Sequence, residues 1–391
     1  MGLFDDDKVN LKALSQKAFN YRWATLDEGV IPLTAADPDF PVAEPIIRAI
    51  HDYSKDGYFS YGPAEGLSSF KEAVAEWYRL RHRATIDASC VLPVNSAAFG
   101  LFTVAKCILN HGENAIIPDP VDFLFRKAVE HAGAEVRTVQ LDKSTGNFDF
   151  EKMEGLVDKK TKALFICNPN NPLGMAISKD QLNALISFAE RHDLSIVSDE
   201  IWADIDFDNS VTSIASNELK AYPKRIIVSG LSKNFGLAGL RIGYIVAPDS
   251  ISYQKILYCS GHQSTAFGLS GLAQSAGTAA LLESYYWLDE FLVHLNRMKD
   301  LTLGFIEQME LFNPVSPNAT YLAFPSLKSN NLNSEQWVKL MLEKSKVALV
   351  PGGKNWFEES SEGHIRICYA TSEGILKEAF ERMLSVKNEF M

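Results

Sequence analysis

At 391 residues the chain has room for two domains, and its 46% hydrophobic and 22% charged residues fit a globular protein with a substantial core. A formal net charge of −11 argues against nucleic acid as a partner, because phosphate binding needs a basic face. No apolar run approaches a membrane span, the opening residues lack signal-peptide form, and the five cysteines show neither metal-ligand nor disulfide spacing. These features predict a cytoplasmic protein with free thiols, no metal site and no membrane partner.

In chain order, residues 1–45 read as an opening arm containing Ala36-Asp37-Pro38-Asp39-Phe40. Tyr61 stands in a Tyr-Gly-Pro turn. Ser96, Ala97 and Ala98 lie where a loop enters a helix, and backbone N–H groups there attract phosphate; an ordinary serine N-cap has the same look. Asn114 to Pro118 is predicted as a strand and Phe123 to Ala132 as a helix, with Asp119-Pro120-Val121-Asp122 between them. Ala163 to Cys167 is a further strand. The two Asn-Pro pairs that follow, together with Gly174, force a turn that carries Asn171. Ser178 to Gln181 has the pattern of a capping box opening a helix to about His192.

Leu194 to Ser198 reads as a strand that runs into Asp199, with Trp202 just beyond. Ile226 to Leu231 and Ile242 to Val246 are two more strands. Between them lie Ser232, Lys233, Gly236, Gly239 and Arg241, and the glycines let that segment fold back tightly. From about Trp287 the pattern changes to long helices and a few strands, one of them carrying Arg366, with a last helix near Glu373 to Val386. Alternating strands and helices through the middle predict an α/β fold with a mostly parallel sheet between helices. The expected division is a large domain over 46–286, with 1–45 and 287–391 forming the arm and a smaller α+β domain.

A lysine and an arginine brought to one pocket suit a ligand carrying both an aldehyde and a phosphate, and pyridoxal phosphate is such a ligand. Ser232-Lys233 by itself would pass for a surface turn. The whole stretch from Arg225 to Pro248 resembles the Schiff-base lysine signature of class I/II aminotransferases, the fold-type I pyridoxal-phosphate enzymes. The resemblance implies that Lys233 holds the cofactor and transfers the proton, and that Asp199 pairs with the pyridine nitrogen. Asn171 would bond the cofactor's phenolic oxygen, and Arg241 would take the phosphate with Ser96, Ala97, Ala98 and Ser232. It also implies that Arg366 binds the substrate α-carboxylate, with Ala36 and Asn171 near the substrate. Tyr61 would reach the cofactor of a neighbouring subunit in a homodimer.

Two positions depart from the family pattern. Trp202 stands where a tyrosine is usual, and its indole N–H can donate but cannot ionise. Asp122 falls where an aromatic ring is usual; Phe123 supplies that ring if the turn is shifted by one residue, and Asp122 is then a solvated turn residue or faces the pocket. The expected function is transfer of the amino group of an L-α-amino acid to a 2-oxo acid. A carbon–sulfur β-lyase of the cystathionine β-lyase-like branch shares these residues and is the alternative. A cofactor-binding regulatory protein is a more distant one, since the proton-transfer lysine and the electron-sink aspartate are both present.

Overall fold

A computed structural model describes residues 2–264, 268–328 and 332–390. Its centre is a seven-stranded sheet. The strands are β1 (Val91–Val94), β2 (Asn114–Asp119), β3 (Glu135–Gln140), β4 (Thr161–Cys167), β5 (Ser195–Asp199), β6 (Arg225–Gly230) and β7 (Gly243–Val246). In space they run β1-β7-β6-β5-β4-β2-β3, and only β7 is antiparallel to its neighbours.

The sheet is apolar on both faces because helices cover both. Adjacent residues in a strand therefore enter different cores, as the period of two requires. Ile116, Leu164, Ile196 and Ile227 join one cluster, while Ile117, Phe165, Val197 and Val228 join the other. The outermost strand, β3, escapes this pattern. Its sequence, Glu-Val-Arg-Thr-Val-Gln, buries only Val139, and sequence analysis accordingly missed it. The capping box at Ser178 is only half formed: Ser178 Oγ accepts from the Gln181 N–H, but the Gln181 side chain accepts instead from the Phe148 N–H.

Strands β1, β2, β4, β5 and β6 are mutually parallel, so their C-terminal ends lie on one edge of the sheet. β7 starts at that edge, with Gly243 paired between Val94 and Gly230. A Cβ on Gly243 would sit 2.4 Å from the backbone carbon of Ser96. Glycine thus lets the start of helix Ala97–Ile108 press against the sheet.

Both chain ends close over this edge. Leu322–Ala323, Val350–Pro351 and Ile365–Cys368 form a small antiparallel sheet, and Ile31–Pro32 of the arm pairs in parallel with Val347–Ala348. Helices Tyr285–Met309, Ser334–Ser345 and Glu373–Ser385 complete this region. The arm is pinned by buried Arg22, which donates to the Asp39 carboxylate at 2.5 Å and to the Ala35 carbonyl at 2.7 Å. Among the described residues no helix is long and apolar enough to cross a membrane.

Candidate active site

At the strand-end edge lies a cavity of about 390 Å³, walled by the sheet on one side and by the arm and small sheet on the other. Crevices outside the C-terminal ends of strands are the usual ligand sites of open α/β sheets. Lys233 follows β6 and projects into it. Its Nζ donates to the Ala36 carbonyl at 2.6 Å and lies 5.3 Å from the centroid of the Trp202 ring. Burial lowers the Lys233 pKa; Asp37 opposes this and Arg366 adds to it.

Asp199 terminates β5. Burial pushes its pKa up to about 7, against a single opposing backbone hydrogen bond from the Ile201 N–H at 3.0 Å; nearby Asp122 and Glu200 push in the same direction as burial. Trp202 is buried and meets Tyr321 edge-on at 4.7 Å. Its indole N–H makes no hydrogen bond among the described residues.

Asn171 occupies the turn after β4. It joins two charged groups: Nδ2 donates to Asp122 Oδ2 at 2.9 Å, and Oδ1 accepts from Arg366 Nη1 at 3.1 Å. Arg366 also donates to the Thr34 carbonyl at 3.0 Å, and its guanidinium carbon lies 5.1 Å from the Phe357 ring centroid. Its Nε is sealed from solvent and has no partner among the described residues.

Ser96, Ala97 and Ala98 line the cavity at the start of their helix, where Ser96 Oγ caps the Phe99 N–H at 3.1 Å. Arg241 stands opposite at the rim, in a left-handed conformation with φ 56°. It has no hydrogen-bond or ion-pair partner among the described residues. Ser232 lines the same wall.

The structure decides between the readings of Asp122. It is a cavity residue, held by Asn171 and by the Leu124 N–H at 3.1 Å, and not a solvated turn aspartate. Phe123 also lines the cavity, half-buried, with Lys127 Nζ 4.7 Å from its ring centroid. Tyr61 is not brought to the site: it is 88% exposed and outside the cavity. Sequence reasoning missed Tyr21, Trp356 and Phe357, which complete the wall. Apolar aromatics near turns carry no signal that separates them from core residues.

A second polar layer lies behind the site. Asp204 accepts from Trp77 Nε1 at 3.0 Å, His82 Nε2 at 3.0 Å and Asn234 Nδ2 at 2.6 Å. It therefore ties the turn after Asp199 to the loop residue next to Lys233.

A family model described as aminotransferase class I and II matches residues 28–383. The chain belongs to that family. It is 31% identical over 365 residues to an aspartate aminotransferase of Pyrococcus abyssi, covering 92% of each chain. It is 30% identical over 371 residues to aromatic-amino-acid aminotransferase 2 of Thermococcus litoralis, covering 93% of this chain and 92% of the relative. The solved aromatic aminotransferase of Pyrococcus horikoshii superposes with a TM-score of 0.85 at 29% identity, over 94% of this chain and 98% of that one. The protein is thus an aminotransferase of the fold-type I class, whose chemistry depends on pyridoxal phosphate, and the comparisons favour this over the β-lyase alternative. The relatives carry two different substrate names.

Proposed function

We propose that this cavity holds pyridoxal 5′-phosphate and transfers amino groups between an L-α-amino acid and a 2-oxo acid. The observation that carries the reading is the convergence of Lys233, Asp199, Arg241 and Arg366 on one cavity, with donors and acceptors still unpaired there. The fit to the cofactor is good: Arg241, without a partner among the described residues, and a helix start would form a phosphate seat, and Asp199 is a buried carboxylate that a ring cation would ionise. When bound, the cofactor supplies an electron sink for the carbanion generated at the substrate α-carbon.

Lys233 Nζ would hold the cofactor and, once displaced by the substrate amine, carry the proton from the α-carbon. Its lowered pKa favours the neutral amine that this requires. The Ala36 carbonyl gives that amine a resting position. Asp199 would keep the ring nitrogen protonated, and that positive charge would in turn return Asp199 to the ionised state. Asn171 and Trp202 offer N–H donors towards the phenolic oxygen. The planar guanidinium of Arg366 in the cavity wall suits a two-point grip on the α-carboxylate.

Residues 46–286 form the cofactor domain in this reading, with 1–45 and 287–391 as arm and small domain, and the setting is cytoplasmic. Tyr61 belongs to the site of a second subunit in a homodimer; Tyr58, Phe59 and Tyr61 are 80%, 65% and 88% exposed, as an apolar patch awaiting a partner would be. Borohydride trapping of the loaded protein followed by peptide mapping tests the assignment. Label on Lys233, with conversion of the bound cofactor to its amine form by an amino-acid panel, is the expected result. Label on another lysine overturns it.

A further inference from the structure

Five charged side chains line the cavity among the described residues: Lys233, Arg241, Arg366, Asp199 and Asp122. The first four have roles above. Asp122 has none, and its geometry gives it one. Its two oxygens are aimed by separate donors, the Leu124 N–H at 3.1 Å and Asn171 Nδ2 at 2.9 Å, so the carboxylate is fixed in the wall. A carboxylate offers about four acceptor sites. Because Asp122 lines the cavity, the remainder are open to a ligand there.

The walls around it are aromatic: Tyr21, Phe123, Trp356 and Phe357. A planar guanidinium stacks on such faces and pairs its N–H fork with a carboxylate, and an alkylammonium can use the same features less fully. Among the described residues that line the cavity, an acidic side chain would meet no cation beyond the three with roles above, and one fixed anion. We propose that Asp122 makes the cavity select amino acids with a cationic side chain, arginine-like first, and reject dicarboxylic ones. This inference rests on the aminotransferase reading. Burial pushes the Asp122 pKa up, and a substrate cation lowers it again, so ligand and carboxylate charge support each other.

The test compares two non-reacting acids on the cofactor-loaded protein by calorimetry: 5-guanidinopentanoate, which is arginine without its α-amino group, and glutarate. The guanidino acid should bind at least roughly tenfold more tightly, and Asp122→Asn should narrow that ratio about tenfold or more, as loss of a close charge partner does. Asp122→Phe, which exchanges the charge for an aromatic wall, should narrow it too and guards against a folding defect particular to one variant. Preference for glutarate, or a ratio unchanged in both variants, would overturn the proposal. The kcat/KM ratio for arginine against glutamate should move with the binding ratio. If no amino acid of any class donates its amino group, the functional reading fails, while the binding ratio still judges Asp122.

Discussion

Asp199 and Asp204 stand five positions apart on one turn, both are screened from water, and they titrate in opposite directions. Burial raises the first to about 7, opposed by one backbone N–H among the described residues and by Lys233. Burial acts on the second as well, but His82, Asn234 and Trp77 outweigh it and the pKa falls. The difference separates two kinds of polar interior. Asp204 is satisfied within the chain and holds the fold, whereas Asp199 is left short, as the proposed cofactor role requires. The same contrast runs through the neighbouring residues. Glu200 accepts from Ser213 Oγ at 2.7 Å and the Ile214 N–H at 2.8 Å, although burial still raises its pKa, while Arg366 Nε has no partner among the described residues.

The largest effect should come from Lys233→Ala, which removes the covalent anchor and the proton carrier together. Turnover should vanish and borohydride should fix no cofactor, while thermal stability without cofactor stays close to wild type. A cofactor still reducibly attached would place the anchor elsewhere.

Asp204→Ala should act on the other side of the comparison. Removing one partner of a buried pair typically costs about 3–5 kcal/mol, because His82 is left buried without its carboxylate. The pair also sets a pH limit. His82 has a raised pKa, so its contribution is full below the unfolded-state value and is lost as pH rises through the folded one. Urea denaturation at several pH values would show both effects, and a wild-type midpoint in Asp204→Ala would erase the distinction between the two layers.

Asp199→Ala should leave the fold intact and slow α-proton removal by about 10²–10³, the usual loss for a preorganised electrostatic group. Normal single-turnover rates would remove Asp199 from the chemistry. The smallest effects should come from a pair. Arg366→Lys should weaken binding of amino acids more than of cofactor, because an ammonium cannot make two parallel bonds, and Arg241→Ala should do the reverse. Separate titrations of cofactor and of a carboxylate ligand check this; equal losses in both variants would dissolve the division of roles.

Much of this was legible in the sequence for identifiable reasons. β4, β5 and β6 are short apolar runs that end in Asn-Pro, Asp and Ser-Lys signals, so strand ends and site residues announce each other. Arg366 was legible because an arginine between isoleucines in a short strand must find a buried partner or reach solvent. β3 was not, since an edge strand needs little apolar surface. The place of Asp122 was not either: whether it faces solvent or the cavity depends on Asn171, which is 49 residues away in sequence and adjacent only after folding. The Asp204 network was hidden for the same reason, because its donors come from Trp77 and His82 at the end of one helix and from Asn234 on a distant loop.

The central claim, that Asp199 is a carboxylate left short for a ligand, is tested most directly by melting the cofactor-free protein from pH 5 to pH 8.5. Its folded-state pKa of about 7 lies above the unfolded value of about 4, so the Asp199 contribution is full below the unfolded value, falls as pH rises towards 7 and is gone above it. Asp199→Asn should therefore outlast wild type by a margin that widens from pH 5 to pH 7 and then levels off, and adding pyridoxal phosphate at pH 8 should raise wild type more than the variant. A variant less stable than wild type at every pH, with or without the cofactor, would contradict the account and make Asp199 a structural residue like Asp204.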